Sequence, residues 1–149
     1  GSLLDLGVYC VSIIRRIANE EPIDVKSFAK LNDEGVDTSF TGIMKFPSNI
    51  LGHFDCSLTS QFSCGYSAIG TKGKLLVDHG GMVPWAGEEF RVKHWSGEEY
   101  KEFIIPSANH YELMIEDFSN ALLNGTQLEF DLQDSISNAK VMDALLDDT

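Results

Sequence analysis

The sequence predicts an α+β fold, a two-layer sandwich in which helices cover one face of a mostly antiparallel open sheet. Three observations carry this expectation. Helical periodicity opens and closes the chain, with a run of strand-like segments between, and elements grouped in this way belong to α+β folds rather than to βα repeats. The strand-like segments alternate apolar and polar residues, as in sheets with one face on a core. The length of 149 residues with 43% hydrophobic content suits one core, so a single domain over residues 1–149 is expected.

The elements follow in order. Residues 3 to 19 place Leu4, Val8, Val11 and Ile14 at helical intervals, with Arg15 and Arg16 in the last turns where they suit the helix dipole, and Pro22 beyond the end. Gly1 and Ser2 lead straight into this helical pattern and are either a cloning remnant or a native N-cap. Alternating runs begin at Ile23 ("IDVKSFAKL"), Val36 ("VDTSFTGIMKF") and Asn49 ("NILGHFDCSLTS"), each bounded by Gly, Pro, Asn or Asp. In the second, Phe40, Met44 and Phe46 share one side with Val36, while Asp37, Ser39, Thr41 and Lys45 share the other. "SAIGTKGKLLVD" reads as two short strands joined around Gly70 and Gly73, where a tight turn takes up positive φ. A Gly-rich loop over residues 79 to 89 contains Trp85, and "FRVKHW" with "EEYKEFII" forms a hairpin through Ser96-Gly97. From Ala108 the period turns helical, with Tyr111, Met114, Ile115, Phe118 and Leu122 on one stripe and a stop at Asn124-Gly125. Asp131 is the expected N-cap of a last helix with Leu132, Ile136, Ala139, Met142 and Leu146 down one side.

Composition excludes several function classes. Eleven Lys and Arg against 23 Asp and Glu leave a net charge of −12, which repels phosphate backbones and anionic lipid, so nucleic acid is not an expected partner. Apolar stretches fall well short of the roughly 20 residues of a membrane span, and no basic leader with a cleavage site precedes the first of them. Cys10, Cys56 and Cys64 are odd in number and widely spaced, which suggests reduced thiols in a cytoplasmic protein rather than a disulfide framework. Asn124-Gly125-Thr126 matches a glycosylation acceptor, but a turn after a helix explains it more simply.

The search for chemistry narrows to the first helix. No phosphate-binding glycine motif opens a helix, and Gly70-Thr71-Lys72-Gly73-Lys74 imitates one only within a hairpin. His53, His79, His94 and His110 occur singly, so no metal site is expected. Glu116 and Asp117 are adjacent on a helix and point apart. Asp5 and Tyr9, four residues apart, stack on one helix face, where a carboxylate and a phenol can reach one small polar substrate. A carboxylate can orient a hydroxyl and a tyrosine can act as acid or base. The competing explanation is a first-turn acid favoured by the dipole beside a core-edge tyrosine.

Four stretches in order resemble the C-terminal domain of the Gfo/Idh/MocA family of NAD(P)-dependent oxidoreductases. "GSLLDLGVYCV" is similar to the family's Asp-x-Gly-x-His/Tyr helix, "IGTKGKLLVD" to its Gly-x-Lys-Gly hairpin, "YELMIEDFSNALLNG" to its Tyr-x-x-x-x-Glu-Asp-Phe helix, and "DLQDSISNAKVMDALLDD" to its closing helix. Tyr9 in place of His resembles the branch with dihydrodiol and xylose dehydrogenases and glucose-fructose oxidoreductase. The resemblance implies hydride transfer between nicotinamide C4 and a carbon bearing a sugar or cyclic diol hydroxyl. It further implies Tyr9 as acid/base, Asp5 as a substrate-orienting carboxylate, and Gly1 and Gly7 as close-approach positions. Ser12, at a position often Asp in the His-containing branches, together with His79, Trp85 and His110 in or beside loops, are the candidate substrate-binding residues. NAD or NADP is the implied cofactor of a full-length protein whose Rossmann domain and Glu-Lys-Pro motif are absent here, and none is expected on this chain alone. A homodimer through the sheet face that carries Phe28 and Ile43 is implied as well. The alternatives are a sugar-binding module and a dimerisation domain without a ligand.

Overall fold

The computed structural model describes residues 1–78, 87–128 and 130–149. A π-helical turn, Leu3–Gly7, runs into α1 (Val8–Ala18). Seven strands follow: β1 (Asp24–Leu31), β2 (Asp37–Lys45), β3 (Leu51–Ser57), β4 (Tyr66–Gly70), β5 (Gly73–Val77), β6 (Phe90–Ser96) and β7 (Glu99–Ile105). Helices α2 (His110–Asn124) and α3 (Leu132–Asp147) close the chain. The fold is α+β with antiparallel strands throughout, and the alternation in sequence could not reveal that the strands pair as two sets. They form one sheet of order β1-β2-β3 and another of order β4-β5-β6-β7. The sheets belong to two compact units, Gly1–Gln61 with Phe130–Thr149, and Phe62–Glu129.

In the first unit, α1 and α3 pack on the same face of the three-stranded sheet. Alternation along β2 and β3 delivers Phe40, Met44, Phe54 and Cys56 to that face, where they meet Leu3 and Val11 from the opening helix and Val141, Met142 and Leu145 from α3. Gly42 lies opposite Phe54, and a Cβ on it would come within 2.5 Å of the Phe54 ring, so the absence of a side chain there admits the aromatic.

The opening helix departs from its expected register. Leu4 is exposed, and the buried line is Leu3, Gly7, Val11 and Arg15, each four residues after the last. The cause is the π turn, in which the Val8 N–H bonds back to the Leu3 carbonyl, so that residues four apart stay aligned where α spacing would let them drift. Arg15 stands in the last turn of α1 as expected, and it is buried there. It is 6% exposed, its guanidinium donates to both Glu21 oxygens (2.8 and 2.6 Å), to Asp134 Oδ1 (3.1 Å) and to Asn138 Oδ1 (3.1 Å), and it joins α1 to α3. The hydrogen bond from Arg15 holds the Glu21 carboxyl below its ordinary range against the opposing effect of burial.

This cluster also selects the buried side of α3. Asp131 caps the helix as expected, accepting from the Asp134 N–H at 2.9 Å. The buried residues, however, are Asn138, Val141, Met142 and Leu145, while Leu132, Ile136 and Leu146 are exposed. The face that meets Arg15 is the one turned inward, although a polar residue stands on it.

In the second unit the four strands form an antiparallel meander. Gly97 turns the last hairpin with φ 60°, but neither Gly70 nor Gly73 has the positive φ expected of it. Gly73 is required for another reason, since a Cβ there would collide with the Trp95 carbonyl on β6. Helix α2 is capped by Asn109, which accepts from the Glu112 N–H, and ends on Gly125 with φ 65°. Its stripe of Tyr111, Met114, Ile115 and Phe118 is exposed.

Candidate active site

The Asp-x-Gly-x-Tyr spacing has a plain geometric meaning. Gly7 faces the sheet, where a Cβ would stand 2.8 Å from Leu3 Cδ1 and 3.3 Å from both Cys56 Sγ and Phe54 Cε2, so only glycine lets the helix sit this close to β3. Residues two before and two after an inward-facing position on a helix point away from the sheet. Asp5 and Tyr9 occupy those places and are exposed, Tyr9 by 50%. Ser12, one turn beyond Tyr9, is half-buried on the same side. A carboxylate, a phenol and a hydroxyl therefore line one face of the opening helix, and neither the Asp5 carboxylate nor the Tyr9 hydroxyl has a hydrogen-bond partner among the described residues.

The start of this helix is held in a way the sequence did not disclose. Ser2 has helical φ and ψ and makes no capping bond, so it is not an N-cap. Its hydroxyl instead donates to Asp37 Oδ2 at 2.7 Å, and the Leu3 N–H donates to the same oxygen at 2.7 Å. Asp37, assigned by alternation to the polar side of β2, acts as a cap supplied from the sheet. Burial acts to raise its pKa, the bonds from the Leu3 N–H and the Ser2 hydroxyl act to lower it, and the carboxyl stands below its ordinary value. Gly1 lies so close to Asp37 Oδ1 that a Cβ would overlap it. The Cys56 thiol, pushed up in pKa by burial, donates to the Ser2 carbonyl at 3.4 Å. No local signal marks these contacts, because 34 or 35 residues separate Asp37 from the atoms it holds.

Of the remaining candidates, His110 belongs to the second unit, half-buried at the first position of α2, with its ring 4.2 Å from that of Tyr111 and its Nδ1 buried without a partner. His79 and Trp85 lie outside the described residues. No group of His, Cys, Asp and Glu among the described residues is arranged to hold a metal ion. No helix among the described residues is long and apolar enough to cross a membrane.

Comparison with known proteins places the chain. Residues 1–76 match the family model described as the GFO/IDH/MocA C-terminal domain. Trans-1,2-dihydrobenzene-1,2-diol dehydrogenase of Sus scrofa is 36% identical over 110 residues, which are 72% of this chain and 30% of that protein. The Bos taurus enzyme is 34% identical over 124 residues, 82% of this chain and 34% of its own length. The chain thus spans about a third of the curated relatives it matches. Among solved structures, KijD10, a 3-ketoreductase from Actinomadura kijaniata in complex with TDP-benzene and NADP, superposes with a TM-score of 0.87 at 20% identity, over 98% of this chain and 46% of the other. The aldose-aldose oxidoreductase of Caulobacter crescentus gives 0.84 at 19% identity, over 99% and 45%. Both structures share the fold. By the family match over half its length and by its identity to the dihydrodiol dehydrogenases, this chain belongs to the GFO/IDH/MocA C-terminal domain family.

Proposed function

We propose that residues 1–149 are the substrate-binding and acid/base-bearing domain of a two-domain NAD(P)-dependent dehydrogenase that acts on a hydroxyl of a sugar or cyclic diol. The observation that carries this reading is the helix face described above, with Gly7 seated on β3 and Asp5 and Tyr9 turned outward together, in a chain 36% identical to a diol dehydrogenase. Tyr9, as its phenolate, accepts the proton of the reacting hydroxyl as hydride leaves the same carbon, and Asp5 orients the substrate by accepting a hydrogen bond from a neighbouring hydroxyl. Ser12 extends the polar face along the substrate. A bound nicotinamide supplies the hydride acceptor. This chain offers no glycine-rich loop at a helix N-terminus to hold its pyrophosphate, so the dinucleotide is assigned to a further domain. The cytoplasm is the proposed location.

The test is turnover. The two-domain protein is expected to reduce NAD+ or NADP+, followed by absorbance, when supplied with trans-dihydrodiols or aldoses. No reduction across such a panel with either cofactor would overturn the reading.

We assign the homodimer interface to the outer face of β1-β2-β3. There Phe28 is 79% exposed on β1, with Ile43 diagonal to it on β2 and Leu51 exposed on β3, interleaved with Lys26, Thr41, His53 and Asp55 on the same face. Sedimentation is expected to show a dimer that Phe28→Asp converts to monomer. A wild-type protein that stays monomeric at high concentration would remove the assignment.

A further inference from the structure

We propose that Asp37 is a positioning residue for the candidate active site, anchoring the start of the π turn Leu3–Gly7 to the sheet and so fixing where Asp5 stands relative to Tyr9. The inference rests on the reading that Asp5 and Tyr9 act on substrate. Its basis is geometric. Residues four apart share a face in a regular α-helix, and the buried line Leu3, Gly7 and Val11 shows that they do so across this π turn too, so spacing alone puts Asp5 and Tyr9 on one side. What spacing leaves open is how firmly the turn that carries Asp5, ahead of the junction at Gly7, is held against the helix that carries Tyr9. Val11 and Gly7 fix the later part against the sheet, but the earlier part needs its own anchor. Asp37 supplies that anchor from β2 through two 2.7 Å bonds, to Ser2 Oγ and Leu3 N, and the Cys56 thiol adds a third contact from β3 to the Ser2 carbonyl. Ser2 and Leu3 are fully buried at this point, which leaves water unable to replace the lost partner of the Leu3 N–H.

Asp37→Ala removes both bonds, whereas Asp37→Asn keeps an acceptor oxygen of the same reach. In this chain, amide hydrogen exchange at Leu3 to Tyr9 is expected to quicken tenfold or more in Asp37→Ala and much less in Asp37→Asn, with amides of β2, β3 and α3 little changed. In the two-domain enzyme, Asp37→Ala is expected to lower kcat/KM for substrate about tenfold with the cofactor KM unchanged, and Asp37→Asn to restore most of the loss. Because Asp37 acts through Asp5, the double variant Asp37→Ala/Asp5→Asn is expected to lose little more than the Asp5→Asn single variant. Multiplying losses in that cycle, or unchanged exchange at Leu3 to Tyr9, overturns the proposal. Full kcat/KM in both Asp5→Asn and Tyr9→Phe would instead sink the functional reading and with it the catalytic consequence, while the exchange measurement still decides whether Asp37 holds the turn.

Discussion

Tyr9→Phe in the two-domain enzyme is expected to cut turnover about a hundredfold while leaving the melting temperature nearly unchanged. The substitution removes one oxygen from a half-exposed ring that has no hydrogen-bond partner among the described residues, so it opens no cavity and leaves no buried group unsatisfied. A general acid or base commonly contributes about 10²- to 10⁴-fold, and the lower end corresponds to about 2.7 kcal/mol of transition-state stabilisation. Substrate KM should move less than kcat, because the ring stays in place and the Asp5 carboxylate still orients the substrate. Asp5→Asn is the companion variant, expected to lower kcat/KM since a neutral amide accepts more weakly than a carboxylate. Steady-state kinetics and a thermal melt on the same preparations check both. Full turnover in Tyr9→Phe would remove Tyr9 from the reaction.

Phe40→Ala is expected to be the most damaging single core change, at about 3 to 5 kcal/mol. Phe40 sits on the central strand of the first unit at 1% exposure, its ring stacked on Phe54 with centroids 6.2 Å apart. Gly42 beside it has no side chain to fill the gap, and the Phe54 ring already occupies the space above Gly42, so the cavity cannot close cheaply. A loss of that size approaches the whole stability of many domains, about 5 to 15 kcal/mol. Urea unfolding should show a large fall in midpoint at constant slope. A shift worth less than about 1 kcal/mol would mean that the sheet and helices repack around the hole.

Those two residues also mark what could be read from the sequence. Phe40 was assigned to the core by alternation, and the Asp5–Tyr9 face by its spacing, because both depend on local geometry alone. The caps at Asp131 and Gly125 are local for the same reason. Readings failed where a distant partner chooses between faces that look equally good nearby. Leu4 and Leu132 are as apolar as Leu3 and Leu145, and only the π turn and the contact of Asn138 with Arg15 decide which are buried. Spacing places Arg15 in the last turn of its helix, where the structure has it, but nothing near it in sequence shows that Asp134 and Asn138 will come to it. Gly73 was assigned to a turn, although what excludes a side chain there is a carbonyl on another strand. Asp37 stood on the polar side of a strand and gave no sign that it would cap a helix.

The Arg15 cluster also bears on how the protein is made. Arg15 reaches Asn138 across 123 positions and Asp134 across 119, and the whole second unit is encoded between them. On the ribosome, α1 and the first three strands emerge long before the helix that covers their apolar face, so Phe40 and Met44 must wait uncovered, with Arg15 paired to Glu21 alone, while Phe62–Glu129 is synthesised. The second unit is continuous in sequence and needs no such delay. The first is completed only when the two ends of the chain meet, which makes its closure the high-contact-order step and the interval before it the period when a chaperone has most to shield.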